Sequence, residues 1–358
     1  MRSVISHLID GIDGRYAAWP PLYRTKTANY STSHNTQNPN ELADCDSSLI
    51  CYTRLDVPLI TVVIPTYNRA PMVAQAIQSV LGHSTAELEV VVVDDGSTDD
   101  TEARVKAFDG PVRYLRQAKS GPGAARNLGW SVATGSYIAF LDSDDVWFPW
   151  TLKLYLQCLR EFDMPSFVVG SPFWFNDGES LHLVEERPLR ANHYRDYFAS
   201  APEPIWLGAS CMLVRHDCIA RFEASQMNGE DLDFALHLGE QSGFVWIREP
   251  HTFGYRRHAV TAIHNFQNSL CGMRHLISEE RAARFPGGGL RERERYKLIT
   301  RAIRPIVLEA ARRNLFRSAL RLYWETFVWH LRLRSWKFLV AAPMLIAAYL
   351  SDISDLFW

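Results

Sequence analysis

Three apolar runs in the first half of the chain each stop abruptly at a polar or acidic cluster. Leu59–Ile64 (LITVVI) runs into PTYNR, Leu88–Val93 (LEVVVV) into DDGSTD, and Tyr137–Leu141 (YIAFL) into DSDD. Runs this short, apolar but for Thr61 and Glu89 and bounded by polar loops, read as strands buried on both faces. Between them, Ala70–Leu81 sets Met72, Ala76, Ile77 and Val80 on one side of a helix. Thr101–Phe108 reads as a second helix, Val112–Leu115 as a short strand, and Gly121-Pro122-Gly123 breaks the chain before a helix from about Ala124 to Ala133. This alternation predicts an α/β fold, Rossmann-like, with a mostly parallel sheet and helices on both faces. Right-handed crossovers gather the three polar loops along one edge, where such sheets bind ligands.

The third loop carries the strongest chemical signal. Asp142, Asp144 and Asp145 fall within four positions at the end of a buried run. Carboxylates this dense repel one another, and burial raises their pKa values. Water or a cation must relieve them, and hard divalent ions such as Mg²⁺ and Mn²⁺ take oxygen ligands. The alternative is an acidic turn in which Ser143 or Asp145 caps a helix.

Farther on, Trp150–Phe162 reads as a helix and Ser166–Val169 and Phe173–Phe175 as strands. His182–Tyr197 shows no period, and the apolar Ile205–Val214 returns to the sheet. Glu230 opens a helix that ends near Leu238, Val245–Ile247 is a strand, and Phe253–His258 is a last polar-aromatic stretch. From Ala259 the pattern is helical, interrupted at Pro286–Gly289 and resuming through Arg291–Leu333. Phe338–Leu350, interrupted by Pro343, is shorter than the ~20 residues of a spanning helix. Its basic and aromatic flanks (Arg332, Arg334, Lys337, Trp329, Trp336, Tyr349, Trp358) suit either a peripheral helix on an anionic membrane or a helical pair packed on the domain. Residues 1–56 are polar without period and are expected to be a poorly ordered extension. The expected division is therefore 1–56, a catalytic domain over 57–265, and a C-terminal helical region over 266–358.

A formal net charge of −2 gives no sign of nucleic-acid binding. Six cysteines without CxxC spacing fit reduced thiols rather than a disulfide framework. With no secretory pattern at the start, the expected location is the cytoplasm or the cytoplasmic face of a membrane.

The segments VVIPTYNR (62–69), VVVDDGSTDD (91–100), SGPGAARNLG (120–129), FLDSDD (140–145) and GED (229–231) occur in that order. Over roughly residues 58–260 the chain resembles the family 2 glycosyltransferases of GT-A fold. The resemblance implies a nucleotide-diphosphate sugar donor, a UDP-sugar first among them, a divalent cation (Mn²⁺ or Mg²⁺) and inversion at the anomeric carbon. It implies hexosyl transfer to a glycan or lipid-linked acceptor, as in polysaccharide or lipopolysaccharide assembly. Pro65, Thr66 and Tyr67 would floor the base, with Arg69 beside them, and Asp95 would accept from its edge. Arg126 would face the nucleotide end, Asp142 the ribose or metal, and Asp144 the metal, with His258 of YRRH as a further metal or diphosphate ligand. Asp231 would be the general base, with Asp233 as its control, and Glu230 and Trp206 would lie on the acceptor side. Plainer readings stand beside these: an Asx turn for Asp95, a surface arginine for Arg126, a core tryptophan for Trp206. A sugar nucleotidyltransferase would need a glycine-rich basic loop after the first strand, which PTYNRA is not; a glycan-binding homologue without activity is the non-enzyme alternative.

Overall fold

The computed structural model describes residues 59–83, 88–225, 227–257 and 266–354. The expected N-terminal extension and His258 lie outside the described residues. Strand β1 (Ile60–Thr66) is buried throughout and pairs in parallel with β2 (Leu88–Asp94), from Ile60 opposite Leu88 to Thr66 opposite Asp94. Strand β3 (Val112–Arg116) flanks β2, and β4 (Tyr137–Phe140) flanks β1, both in parallel. The large sheet continues through β9 (Met212–Arg215), β6 (Phe167–Val169), β10 (Phe244–Glu249) and β8 (Arg190–Tyr194). Strands β9 and β8 run against the other six. A small second sheet joins β5 (Val146–Trp147), β11 (Phe253–Arg257) and β7 (Pro172–Asn176). The mostly parallel sheet with its covering helices is the expected GT-A fold.

Short helices connect the first strands. Helix α1 (Ala70–Leu81) buries Val73, Ala76, Ile77 and Val80, as its spacing requires. The N–H of Ala70 donates to Asp99 Oδ2 at 3.2 Å, so the next loop supplies the anion at this helix start. Helix α2 (Thr101–Lys106) follows β2, and α3 (Pro122–Val132) follows β3. A Cβ at Gly129 of α3 would meet Val63 Cγ1 at 2.3 Å, so only glycine lets this helix lie so close to β1. Helix α4 (Thr151–Glu161) and α5 (Glu230–His237) complete the domain.

Four helices follow: α6 (Phe266–Arg281), α7 (Glu292–Arg312), α8 (Phe316–Arg332) and α9 (Trp336–Ser354). Two buried, two-pronged ion pairs fix them. Arg295 holds Glu280 at 2.7 and 3.0 Å, joining α7 to α6. Arg291 holds Asp196 at 2.8 and 2.7 Å, joining the start of α7 to the segment after β8. A buried pair of this fork geometry satisfies both charges at once.

Three strands escaped the sequence reading, the two-residue β5 being too short to leave a pattern. β8 is an antiparallel edge strand whose polar residues RANHY are only partly buried, so no alternation marks it. β11 hides in FGYRR because it serves the small sheet, between β5 and β7. Cys158, Cys211 and Cys218 are buried free thiols and Cys271 an exposed one.

Candidate active site

One cleft of about 470 Å³ lies at the ends of β1, β2 and β4. Its lining includes Pro65, Thr66, Tyr67, Arg69, Asp95, Arg126, Asp142, Asp144, Trp206, Glu230 and Asp231. Every expected site residue that the structure describes therefore faces one space. Parallel register accounts for this: Thr66 stands opposite Asp94, and Val63 opposite both Val91 and Phe140, so the three loops leave the sheet side by side.

The acidic end is crowded. Asp142, Asp144 and Asp145 each offer an oxygen, all within 4.8 Å of one another. Asp145 accepts from Ser210 Oγ at 2.6 Å and from the N–H of Arg256 at 3.0 Å. Burial, and then the charges of Asp144 and Asp142, still push its carboxyl well above the usual range. Arg69 reaches Asp144, with Nη1 2.8 Å from Oδ2, and Arg256 Nε donates to the Asp144 carbonyl at 2.9 Å. An all-oxygen set under mutual repulsion fits a hard divalent cation, because such an ion would offset the repulsion among the three carboxylates.

Arg126 is buried among carboxylates. Its Nη2 donates to Asp142 Oδ1 at 2.6 Å, while Nη1 lies 3.4 Å from Glu230 Oε1 and 4.0 Å from Asp231 Oδ1. Burial alone would lower the Arg126 pKa; the charges of Asp142, Asp231 and Glu230 reverse this and raise it. Helix α3 begins at Pro122, so Arg126 is its fifth residue, and a buried cation near the positive end of a helix needs an anion to meet. Here the protein's own acids fill that role, from both ends of the cleft.

Glu230 and Asp231 open α5 behind Gly229, whose φ of 104° belongs to glycine. Burial raises the pKa of both, the neighbouring Glu230 raises that of Asp231 further, and Arg126 offsets part of each rise. Asp231 Oδ1 is buried without a hydrogen-bond partner, and so is Thr66 Oγ1. Two unsatisfied polar atoms on one cleft mark places for ligand groups. Asp233 is engaged elsewhere, its carboxylate bonding His275 Nε2 of α6 at 3.1 Å.

The Asp95 carboxylate is occupied on three sides. Gln117 Nε2 and the N–H of Ser120 donate to Oδ1 at 2.7 Å each, and the N–H of Gly121 donates to Oδ2 at 2.8 Å. It thus holds the glycine loop before α3 in place. Trp206 stands over Gly208, where a Cβ would come within 2.4 Å of its ring. It packs edge-on to Trp174 and Tyr255 at centroid distances of 5.3 and 5.5 Å.

Several lining residues gave no sequence signal. Lys119 lies with Nζ 3.5 Å from the Tyr67 ring centroid. Leu298, Arg301 and Ala302 bring α7 into the cleft wall, more than 150 positions after the acidic loop. Trp174 and Tyr255 arrive from the small sheet. A single lysine, or helix residues so distant in sequence, form no motif.

This architecture defines an α/β protein with a cleft at the carboxyl ends of its parallel strands, where such sheets bind ligands. Residues 61–221 match the family model described as Glycosyl transferase family 2. An uncharacterized glycosyltransferase of Rickettsia bellii is 39% identical over 142 residues, covering 39% of this chain and 20% of that protein. The succinoglycan biosynthesis protein ExoO of Rhizobium meliloti is 38% identical over 135 residues, covering 37% of this chain and 39% of its own. The chain thus spans well under half the length of these relatives. A crystal structure of S. aureus TarS 1-349 in complex with UDP-GlcNAc superposes with a TM-score of 0.59 at 15% identity, covering 82% of this chain and 92% of that one. At that identity the likeness is one of fold.

Proposed function

We propose that the protein is a metal-dependent inverting glycosyltransferase that moves a sugar from a nucleotide-diphosphate sugar to a hydroxyl of a glycan or lipid-linked acceptor. The observation that carries this reading is the meeting, on one cleft, of the Asp142–Asp144–Asp145 cluster with Asp231, whose Oδ1 has no hydrogen-bond partner. UDP is the nucleotide favoured, since the fold relative TarS was crystallised with UDP-GlcNAc and with UDP.

Asp142 and Asp144, with Asp145 behind them, would hold Mn²⁺ or Mg²⁺. Such an ion, when bound, neutralises charge on the departing diphosphate. Thr66 and Tyr67 line the floor beneath the nucleoside, and Thr66 Oγ1 is free to bond it. Arg69, paired with Asp144, would turn to the same phosphates. Asp95 serves the donor by fixing the loop 117–121 around it. Asp231 acts as base: its environment raises its proton affinity, which suits a group that must accept a proton from a hydroxyl. Trp206, with Trp174 and Tyr255, offers aromatic faces to an acceptor sugar.

The test is Asp231→Asn with a panel of UDP-, GDP- and dTDP-sugars. Loss of a general base lowers turnover by about 10²–10⁴-fold, while nucleotide affinity stays within a factor of about two of wild type. Normal turnover in that variant would remove Asp231 from the mechanism.

A further inference from the structure

Of the thirteen large hydrophobic residues that remain exposed among the described residues, seven lie on α8 and α9. On α8 they are Trp324, Val328 and Leu331, at positions i, i+4 and i+7; on α9 they are Trp336, Val340, Met344 and Leu350. Trp324 is 63% exposed, Trp336 57% and Val340 60%. The opposite side of α9 is already used, since Phe338, Leu339, Ala342, Leu345 and Ile346 are buried. Helix α9 is therefore apolar on its outward side as well as its inward one, although water should select a polar outward face.

Charge in this region is one-sided. Between Glu325 and Asp352 the sequence holds no Asp or Glu, but it holds Arg332, Arg334 and Lys337. All three are exposed, at the turn between α8 and α9. Arg332 pairs with Glu292 at 2.8 and 2.9 Å, whereas the other two cations stand beside Trp336 in sequence. Among the described residues no helix is long and apolar enough to cross a membrane. An apolar outer face with exposed tryptophans and a cationic turn are together the chemistry of a surface that lies in the headgroup zone of an anionic bilayer.

We propose that the outer faces of α8 and α9 form a docking surface for an anionic lipid bilayer, with Trp324, Trp336, Val340 and Met344 entering the interface and Arg334 and Lys337 meeting the headgroups. The surface belongs to the same helical group as α7, whose Leu298 and Ala302 line the cleft. Docking would bring the cleft near material held in the membrane. The inference stands whether or not the cleft transfers a sugar.

Sedimentation of the full chain with lipid vesicles tests it. Expected are binding to phosphatidylcholine vesicles containing phosphatidylglycerol, weak binding to phosphatidylcholine alone, and release by added salt. Arg334→Glu with Lys337→Glu should weaken binding by about fivefold or more for each cation. Trp336→Ser with Val340→Ser and Met344→Ser should abolish it, with circular dichroism and UDP affinity unchanged because the replaced residues are exposed. Equal binding to both vesicle types with indifference to the cation variants overturns the proposal, as does no binding to either. A soluble dimer in sedimentation velocity that the Trp336, Val340 and Met344 changes dissociate also overturns it, by assigning the face to a second copy of the chain.

Discussion

Arg126 and Asp142 form an ion pair whose cation is sealed in the protein and whose anion opens on the cleft, with Nη2 2.6 Å from Oδ1. The same guanidinium reaches Glu230 and Asp231 on the far side. One buried charge thus couples the loop after β4 to the start of α5, two segments about ninety positions apart.

Removing that charge should cost stability. Arg126→Met keeps most of the volume but leaves Asp142, Glu230 and Asp231 to repel one another in a buried site. Urea unfolding at neutral pH should show a loss of about 3–5 kcal/mol. Arg126→Lys should fall between this variant and wild type, because an ammonium on a flexible stem cannot serve three carboxylates as a planar fork does. A change within about 0.5 kcal/mol in Arg126→Met would show that the ion pairs carry no net weight.

Gly129 tests the packing of α3 on β1. A methyl group there must displace the Val63 side chain, whose Cγ1 would stand 2.3 Å from the new Cβ. Gly129→Ala should lower stability by about 1–3 kcal/mol despite alanine's better helix propensity. The pair Gly129→Ala with Val63→Ala should recover part of this in a double-mutant cycle. A stabilised single variant would mean that the helix sits farther from the strand.

His330 gives the helical group a pH signature. It is fully buried on α8 against Phe338, with both ring nitrogens unbonded. Burial, and then the charge of Arg304, bring its pKa down to about 3 from the ordinary 6.5. The unfolded chain therefore binds a proton below pH 6.5 that the folded chain refuses until about pH 3. Stability falls as pH drops through that window, by about 1.4 kcal/mol per pH unit for one proton. His330→Leu should remove this slope, so its stability relative to wild type should improve by about 2 kcal/mol between pH 7 and pH 5 in urea titrations. Parallel pH profiles for the two proteins would mean that His330 is not buried neutral.

The sheet was legible because Val90–Val93, Ile60–Ile64 and Tyr137–Phe140 are apolar almost without interruption, which a strand covered on both faces demands. The cleft was legible because parallel strands deliver Thr66, Asp95 and Asp142 to one edge. What lay beyond reading were the partners. Arg126 signals that an anion is needed, but nothing in the spacing says that Asp142, 16 positions on, and Glu230, 104 on, will provide it. Asp95 looked like a free acceptor, yet three donors from residues 117–121 converge on it. The wall formed by Leu298, Arg301 and Ala302 is a matter of how α7 packs on the domain, and helical periodicity gives a buried face without naming its neighbour.

The central claim is that a divalent cation held by the Asp142–Asp145 loop binds the donor's diphosphate, and Asp144 is the residue to change. Calorimetric titration of UDP, with and without Mn²⁺, should show affinity raised about tenfold or more by the ion in wild type. In Asp144→Asn that gain should vanish while metal-free binding persists. UDP binding that ignores Mn²⁺ in the wild-type protein, or an undiminished gain in Asp144→Asn, would contradict it.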